Sequence, residues 1–314
     1  MSQEVIVVCG GLSHEREVSL ESGRLVARQL TGAGFSVTLS DVQSSLINLI
    51  SGLDGPVVFP MLHGGAGEDG AVREVLELIG VPYVGSTAAA CRASFDKALA
   101  IPAVARDGLS VPRRVVLPHD MFRDLGAATL MRLMEDRLGL PLFVKPTSSG
   151  SGFGASRVNR IEELPTAMVH AYSYGRVVVV EEFIAGVEVA VPVFDLGDGP
   201  VAFPPVEIRP ASGVYDFEAR YTAGATTYVC PAALSPDAID ACMDMAVRAH
   251  TSLGLRDFSR ADIIVRNGTP VFIESSVAPG MTATSPVPLS LETAGQRLPD
   301  VLSDLVRQAA AREA

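Results

Sequence analysis

The segment EVIVVCGG, residues 4–11, narrows the fold more than any other stretch of this chain. It is a short, unbroken apolar run stopped by two glycines, the pattern of a strand buried on both faces in a parallel sheet. SHEREVSLESGRLVARQLTGAG follows at 13–34, with apolar residues at helical spacing and glycines at its end, and predicts an amphipathic helix. The alternation continues through FSVTLSDV (strand), LINLI (helix fragment), GPVVFPML (strand), EDGAVREVLELIG (helix) and VPYVGS (short strand). Strands alternating with helices predict a parallel sheet with right-handed crossovers. This first unit is expected to span 1–92.

A second unit, 93–182, opens on a predicted helix, ASFDKALAIPAVARDG. RRVVL reads as a strand, DLGAATLMRLMEDRLG as a helix, and PLFVKPT and RVVVVEEF as two more strands. A third unit, 183–314, carries predicted strands at EVAVPVF, VAFPPVEIR, ADIIVRN and PVFIESS. It also holds a long helix, SPDAIDACMDMAVRAHTSLGL, and a closing amphipathic one, LPDVLSDLVRQAAAREA. With 48% hydrophobic and 19% charged side chains, a 314-residue chain can bury several cores, which excludes a disordered class. The formal charge of −11 argues against a surface that coats nucleic acid or anionic membrane. An anionic ligand must then be met by individually placed cations and backbone N–H groups. The four cysteines show no Cys-x-x-Cys spacing, and Cys9 and Cys91, in apolar surroundings, read as buried free thiols. No leader-like start and no apolar stretch of about 18 residues is present, so a soluble cytoplasmic protein is expected.

Of the 25 basic residues only Lys97 and Lys145 are lysine. Where lysine survives such avoidance, its compact ammonium is more readily needed than a guanidinium fork. Lys145 ends the apolar run LFVK and precedes SSGSGFG, in which Gly150, Gly152 and Gly154 allow close backbone approach and Ser148, Ser149 and Ser151 offer hydroxyls. The lysine precedes the glycines, so this is not a Walker A loop. A strand-borne ammonium under a flexible cover suits a polyphosphate; an ordinary Gly/Ser hairpin turn would read the same way. Lys97, on a predicted helix, is either a second phosphate ligand or a solvated surface lysine.

Asp262 and Glu274 lie on two predicted strands joined by RNGTP, a hairpin signature. Counted outward from that turn, both carboxylates can share one face, with Arg260 beside them. Close carboxylates are costly without a divalent cation between them, and Mg²⁺ suits carboxylates near phosphates. A solvated polar face is the plain alternative. The strand VVVVEE ends in Glu181 and Glu182, which either border a nucleotide or merely cap a strand.

Together GGLSHEREVSLESG, LHGGAGEDGAVREVLELIGVPYVGS, YDFEARYTAGATTYVCPA and SRADIIV with PVFIESSVAPGMTATS, in this order, resemble the D-alanine–D-alanine ligase family of the ATP-grasp superfamily. The resemblance covers nearly the whole chain. It implies an α/β, three-domain ATP-grasp architecture: an N-terminal parallel-sheet domain, with nucleotide held between central and C-terminal α+β domains. It implies an ATP-dependent ligase joining two D-amino acids through an acyl phosphate, with one or two Mg²⁺ ions, Mn²⁺ able to substitute, and a homodimer.

Carried over residue by residue, the resemblance puts Lys97, Lys145 and Arg220 (where the family usually has lysine) on the ATP phosphates. Glu181 and Ile184 would border adenosine, and Glu188 the ribose. Glu15 would receive the ammonium of the first amino acid, near Val18 and His63. Arg260 and the N–H of Gly280 would hold the oxyanion, Ser285 the second carboxylate, and Pro286 would contact the acceptor side chain. Asp262, Glu274 and Ser276 would hold metal. Ser151, Glu188 and Tyr221 match a trio that locks the loop, and a tyrosine at 221 goes with amine acceptors.

Three positions depart from the pattern: Ser276 replaces an asparagine, Ser149 a glutamate, and Pro286 an aliphatic residue. They leave open a specialised ligase with another acceptor, or a nucleotide-binding module without catalysis. A dinucleotide dehydrogenase is disfavoured, because CGGLSHE lacks Gly-x-Gly-x-x-Gly.

Overall fold

A computed structural model of the chain describes residues 2–215, 217–222 and 224–312, with Phe217 and Tyr221 described for their backbone only. The first unit comprises β1 (Glu4–Val8), α1 (Arg16–Gly32), β2 (Ser36–Ser40), α2 (Leu46–Ser51), β3 (Val57–Pro60) and α3 (Ala71–Ile79). β1 lies between β2 and β3 and is parallel to both, as the alternation predicts. The expected strand at 81–86 is only a bridge between Val58 and Tyr83. Pro82 has no N–H to offer a ladder.

The helix expected over 93–108 is two helices, α4 (Ala88–Phe95) and α5 (Lys97–Arg106). Asp96 breaks it, taking extended backbone and accepting the Ala98 N–H at 2.9 Å as the cap of α5. Lys97 thereby becomes the first residue of α5, and its N–H donates to the Thr147 carbonyl at 2.8 Å. Both helices share a core with the C-terminal sheet, through Cys91, Ala100 and Val104.

The central sheet holds β4 (Arg114–Pro118), β5 (Leu142–Pro146), β6 (Ser156–Val158) and β7 (Val177–Glu182), antiparallel in the order β4-β7-β5-β6. Between them run α6 (Asp120–Leu125), α7 (Ala127–Leu138) and α8 (Leu164–Tyr172), where Gly126 divides what reads as one helix. The last unit contains β8 (Val187–Asp195), β9 (Pro200–Ala202), β10 (Val206–Pro210), α9 (Phe217–Tyr221) and β11 (Thr226–Val229). It continues with α10 (Pro236–Ser252), β12 (Phe258–Arg266), β13 (Thr269–Ser276), α11 (Pro286–Thr293) and α12 (Leu298–Ala310). VAFPPVEIR is two strands because Pro204 and Pro205 interrupt the ladder. The antiparallel order is β11-β10-β8-β12-β13, with β9 on β8.

The closing helix leaves this last sheet. Val301, Leu302, Leu305 and Val306 of α12 share a core with Val5, Val7, Val26 and Leu30 of the first unit. No helix among the described residues is long and apolar enough to cross a membrane. Cys9 and Cys91 are buried free thiols, as expected.

Candidate active site

Two adjoining cavities, of about 460 Å³ and about 160 Å³, meet where the three sheets converge. Lys97, Arg220 and Glu274 line both. The smaller one adds Lys145, Glu181, Ile184, Glu188 and Asp262. The larger one holds Glu15, Val18, His63, Ser151, Arg260 and Ser276, and further along Gly280, Ser285 and Pro286. Every site residue that the resemblance implies lies on these cavities except Tyr221, whose side chain is outside the described residues; of the glycine-loop residues, Ser148 and Gly154 do not line them.

Both lysines are almost fully buried and ion-paired: Lys97 Nζ lies 3.1 Å from Glu274 Oε2, and Lys145 Nζ 2.6 Å from Glu181 Oε1. They come together because Lys97 N is tied to Thr147, two residues beyond Lys145. The surface-lysine reading of Lys97 is thus ruled out. Glu181 Oε2 is buried and has no hydrogen-bond partner among the described residues. A buried acceptor of this kind on a cavity wall suits a hydrogen-bond donor from a ligand.

Asp262 and Glu274 sit directly opposite one another across β12 and β13, and Arg260 opposite Ser276. A bulge makes this so. The ladder from the turn pairs Ile263 with Phe272, and a regular continuation would oppose Asp262 to Ile273 and turn Glu274 to the other face. The register shift after Ile263 restores Glu274 to the Asp262 face. Glu188 of β8 is opposite Ile264 of β12, two residues from Asp262, and shares that face.

Arg260 donates to Asp262 through Nε at 2.6 Å and Nη2 at 2.8 Å. Burial opposes ionisation of Glu274, but Lys97, Lys145 and Arg220 outweigh it and hold its carboxyl well below the usual range. Two carboxylates facing each other with cations beside them fit a hard divalent ion. Ser276 is differently engaged: its hydroxyl donates to Glu68 Oε2 at 3.0 Å. Glu68, which residue-level reading missed, is a buried carboxylate of the HGGAGEDG loop that also accepts from Gly64 N. Its signal was there, an acid directly after a glycine-rich turn.

At the other end, Glu15 accepts a short hydrogen bond from the Ser151 hydroxyl of the glycine loop. The loop must pass close: a Cβ on Gly150 would lie 2.7 Å from Glu15 Oε2. Burial raises the Glu15 carboxyl, with Ser151 and Arg220 opposing. His63 is buried against Ser22 Oγ at 3.2 Å and burial lowers it to about 4, so it is neutral near pH 7. The same Ser22 hydroxyl accepts from Met281 N, tying α1 to the segment bearing Ser285. Of the expected loop-locking trio, Ser151 is bonded to Glu15 and Glu188 lines the neighbouring cavity.

Burial pushes Glu188 up to about 7, with Arg220 opposing and Asp262 and Glu274 reinforcing. In the unfolded chain it titrates near 4.5. Its stabilising contribution is therefore complete below about pH 4.5 and lost as pH rises to about 7. Glu188→Gln, which cannot ionise, is expected to gain stability on the native protein across that window, by at most about 3 kcal/mol. Denaturation midpoints at pH 5 and pH 8 measure this; a pH-independent difference would mean the native carboxyl is already ionised.

Residues 42–86 match the family model described as D-ala D-ala ligase N-terminus, and 104–307 the one described as D-ala D-ala ligase C-terminus. The D-alanine–D-alanine ligase of Desulforudis audaxviator is 37% identical over 99% of this chain and 100% of its own. That of Nitratidesulfovibrio vulgaris is 37% identical over 96% of this chain and 97% of its own. Among solved structures, the VanG D-Ala:D-Ser ligase of Enterococcus faecalis superposes with TM-score 0.85 at 28% identity, covering 98% of this chain and all of the other. The ATP complex of the Bacillus anthracis D-alanine–D-alanine ligase gives 0.81 at 26% identity, over 98% and 97%. The fold is accordingly of the ATP-grasp type. Both halves of the family description fall in order on one chain that its relatives match end to end, and the chain belongs to the D-alanine–D-alanine ligase family.

Proposed function

We propose that this protein joins two small D-amino acids, D-alanine the first, at the cost of ATP and through an acyl phosphate. The observation that carries the reading is the convergence of both lysines with Asp262, Glu274 and the orphan oxygen of Glu181 on one cavity. In this reading Lys145, Lys97 and Arg220 take the phosphates beneath the glycine loop. Adenine lies against Ile184, its amino group supplying the donor that Glu181 Oε2 lacks, and Glu188 receives the ribose. Asp262 and Glu274 would hold Mg²⁺, one ion or two, which when bound neutralises phosphate oxygens. Ser276 can join them through an oxygen lone pair while its hydroxyl hydrogen stays with Glu68.

The ammonium of the first amino acid displaces Ser151 from Glu15. Its carboxylate then attacks the γ-phosphorus as the bond to the β,γ-bridging oxygen breaks and ADP becomes the leaving group, and Lys97, Arg220 and Arg260 meet the spreading charge. The closed loop keeps water from the acyl phosphate. The second amino acid, its carboxylate on Ser285, presents a neutral amine to the activated carbonyl. Arg260 and the Gly280 N–H receive the oxyanion, and phosphate leaves. Tyr221 supports an amine acceptor, and the complete unit is a homodimer.

Release of ADP and phosphate with D-alanine, Mg²⁺ and ATP, with chromatographic detection of the dipeptide, tests this. No turnover with any amino-acid pair would overturn it. Lys145→Met is expected to raise the KM for ATP by about 10–100-fold, the scale of a lost charge-assisted hydrogen bond. A second reading is favoured by the Ser276–Glu68 bond, by Pro286 in the cavity wall, and by the D-Ala:D-Ser ligase among the similar structures. In it the acceptor is not D-alanine. An acceptor panel including D-serine separates the two; strong preference for D-alanine disposes of the second.

A further inference from the structure

Arg73, in the first turn of α3, is the largest of the fully buried side chains among the described residues, with 1% of it exposed. Among those residues its guanidinium enters no ion pair, and its Nε has no hydrogen-bond partner. A buried charge in that state is costly, and an apolar side chain of similar volume would fill the space more favourably. Its Nη1 donates to the Gly67 carbonyl at 2.5 Å, and Gly67 is joined directly to Glu68. These two residues belong to a loop that runs between the two ends of the larger cavity. At its start, Ser13 Oγ donates to the His63 carbonyl at 2.5 Å and accepts the Glu15 N–H at 3.1 Å. At its finish, Glu68 accepts from Gly64 N at 2.9 Å and from Ser276, the last residue of β13, at 3.0 Å. The loop folds tightly on itself, since a Cβ on Gly67 would lie 2.6 Å from Leu62 Cβ.

We propose that Arg73 is a positioning residue that sets, through Gly67 and Glu68, how the amino-acid end of the cavity meets the Asp262–Glu274 hairpin. The inference rests on the roles given above to Glu15, Asp262 and Glu274. Arg73 itself lines neither cavity. Its cation draws on the carbonyl of residue 67 with the strength of a charge-assisted bond, and Glu68 follows as the next residue. Glu68 spends one oxygen on its own loop and the other on Ser276, so a shift at 67 is passed on to β13. A displacement of about 1 Å there is enough to misalign the attacking carboxylate and the γ-phosphorus.

The test uses the full chain, in which Arg73→Met keeps an unbranched stem and removes the donor. It is expected to raise the KM for the first D-alanine about 10-fold and lower kcat about 10-fold, with the KM for ATP within about twofold of native. In a Glu68→Ala background the same substitution should add almost nothing, because effects relayed through one shared residue are not additive. Arg73→Lys keeps the charge and one donor, should lose less, and carries the same cycle if Arg73→Met does not fold. Amide hydrogen exchange gives a reading free of turnover. In the Arg73 variants exchange should quicken at 275–281 as well as at 62–70, and stay native at 142–146. Additive losses in the double variants, a KM for ATP that rises as much as that for D-alanine, or native exchange at 275–281 would overturn the proposal. If the native protein makes no dipeptide while exchange at 275–281 still quickens, the ligase reading fails and the positioning role stands.

Discussion

Alanine at Arg260 is expected to lower kcat/KM by about 10²–10³-fold, the cost of removing one preorganised donor from a developing oxyanion. Arg260 is the cation shared by both halves of the proposed reaction. It lines the larger cavity beside Gly280, and its fork holds Asp262 in two hydrogen bonds, Nε at 2.6 Å and Nη2 at 2.8 Å. Burial disfavours its charge, but Asp262 and Glu274 more than compensate, raising its pKa further. Arg260→Lys keeps the charge and loses the fork, and should recover only part of the rate. Removing the guanidinium frees Asp262, so Mn²⁺ affinity, read by paramagnetic resonance in the presence of nucleotide, should hold or tighten. Near-native kcat/KM in Arg260→Ala, or loss of Mn²⁺ binding along with rate, would show that the arginine serves only the hairpin's geometry.

Asp257→Ala should destabilise the protein by about 3–5 kcal/mol, the range for breaking a buried charge pair. Against a total stability of about 5–15 kcal/mol that is a severe loss. Asp257 is fully buried. One oxygen accepts the Gly85 N–H at 2.6 Å; the other pairs closely with Arg312, which also donates to the Tyr83 carbonyl at 3.1 Å. The carboxylate therefore ties the first unit to the strand edge before β12 and to the chain beyond α12. Its backbone is left-handed, φ +66°, a region asparagine tolerates better than alanine. Asp257→Asn keeps an acceptor for Gly85 and should cost less than alanine. Equilibrium denaturation measures both, and a loss under about 1 kcal/mol for Asp257→Ala would mean that the junction is held by apolar packing alone.

Much of this was legible before any coordinates. The parallel first sheet follows from alternation in 4–86, because a strand buried on both faces reads as an unbroken apolar run. Lys97 and Lys145 stood out by rarity, and both are buried and paired with carboxylates. Long motifs in fixed order made the family recognisable, and the comparisons confirm it.

What local sequence could not decide was geometry between distant segments. A regular count from the RNGTP turn would put Glu274 on the face away from Asp262, and only the register shift between Asp262 and Ile263 brings the two carboxylates onto one face. Helical propensity runs through Ser94–Ala98, and only the demand for a cap at Asp96 sets Lys97 at a helix start beside Thr147. Glu68 meets Ser276 across 208 positions, and α12 packs on a sheet built from the other end of the chain. Periodicity and residue type report the neighbours of each residue along one element. Register shifts and contacts between elements arise from packing several cores at once, and only the folded chain records that balance.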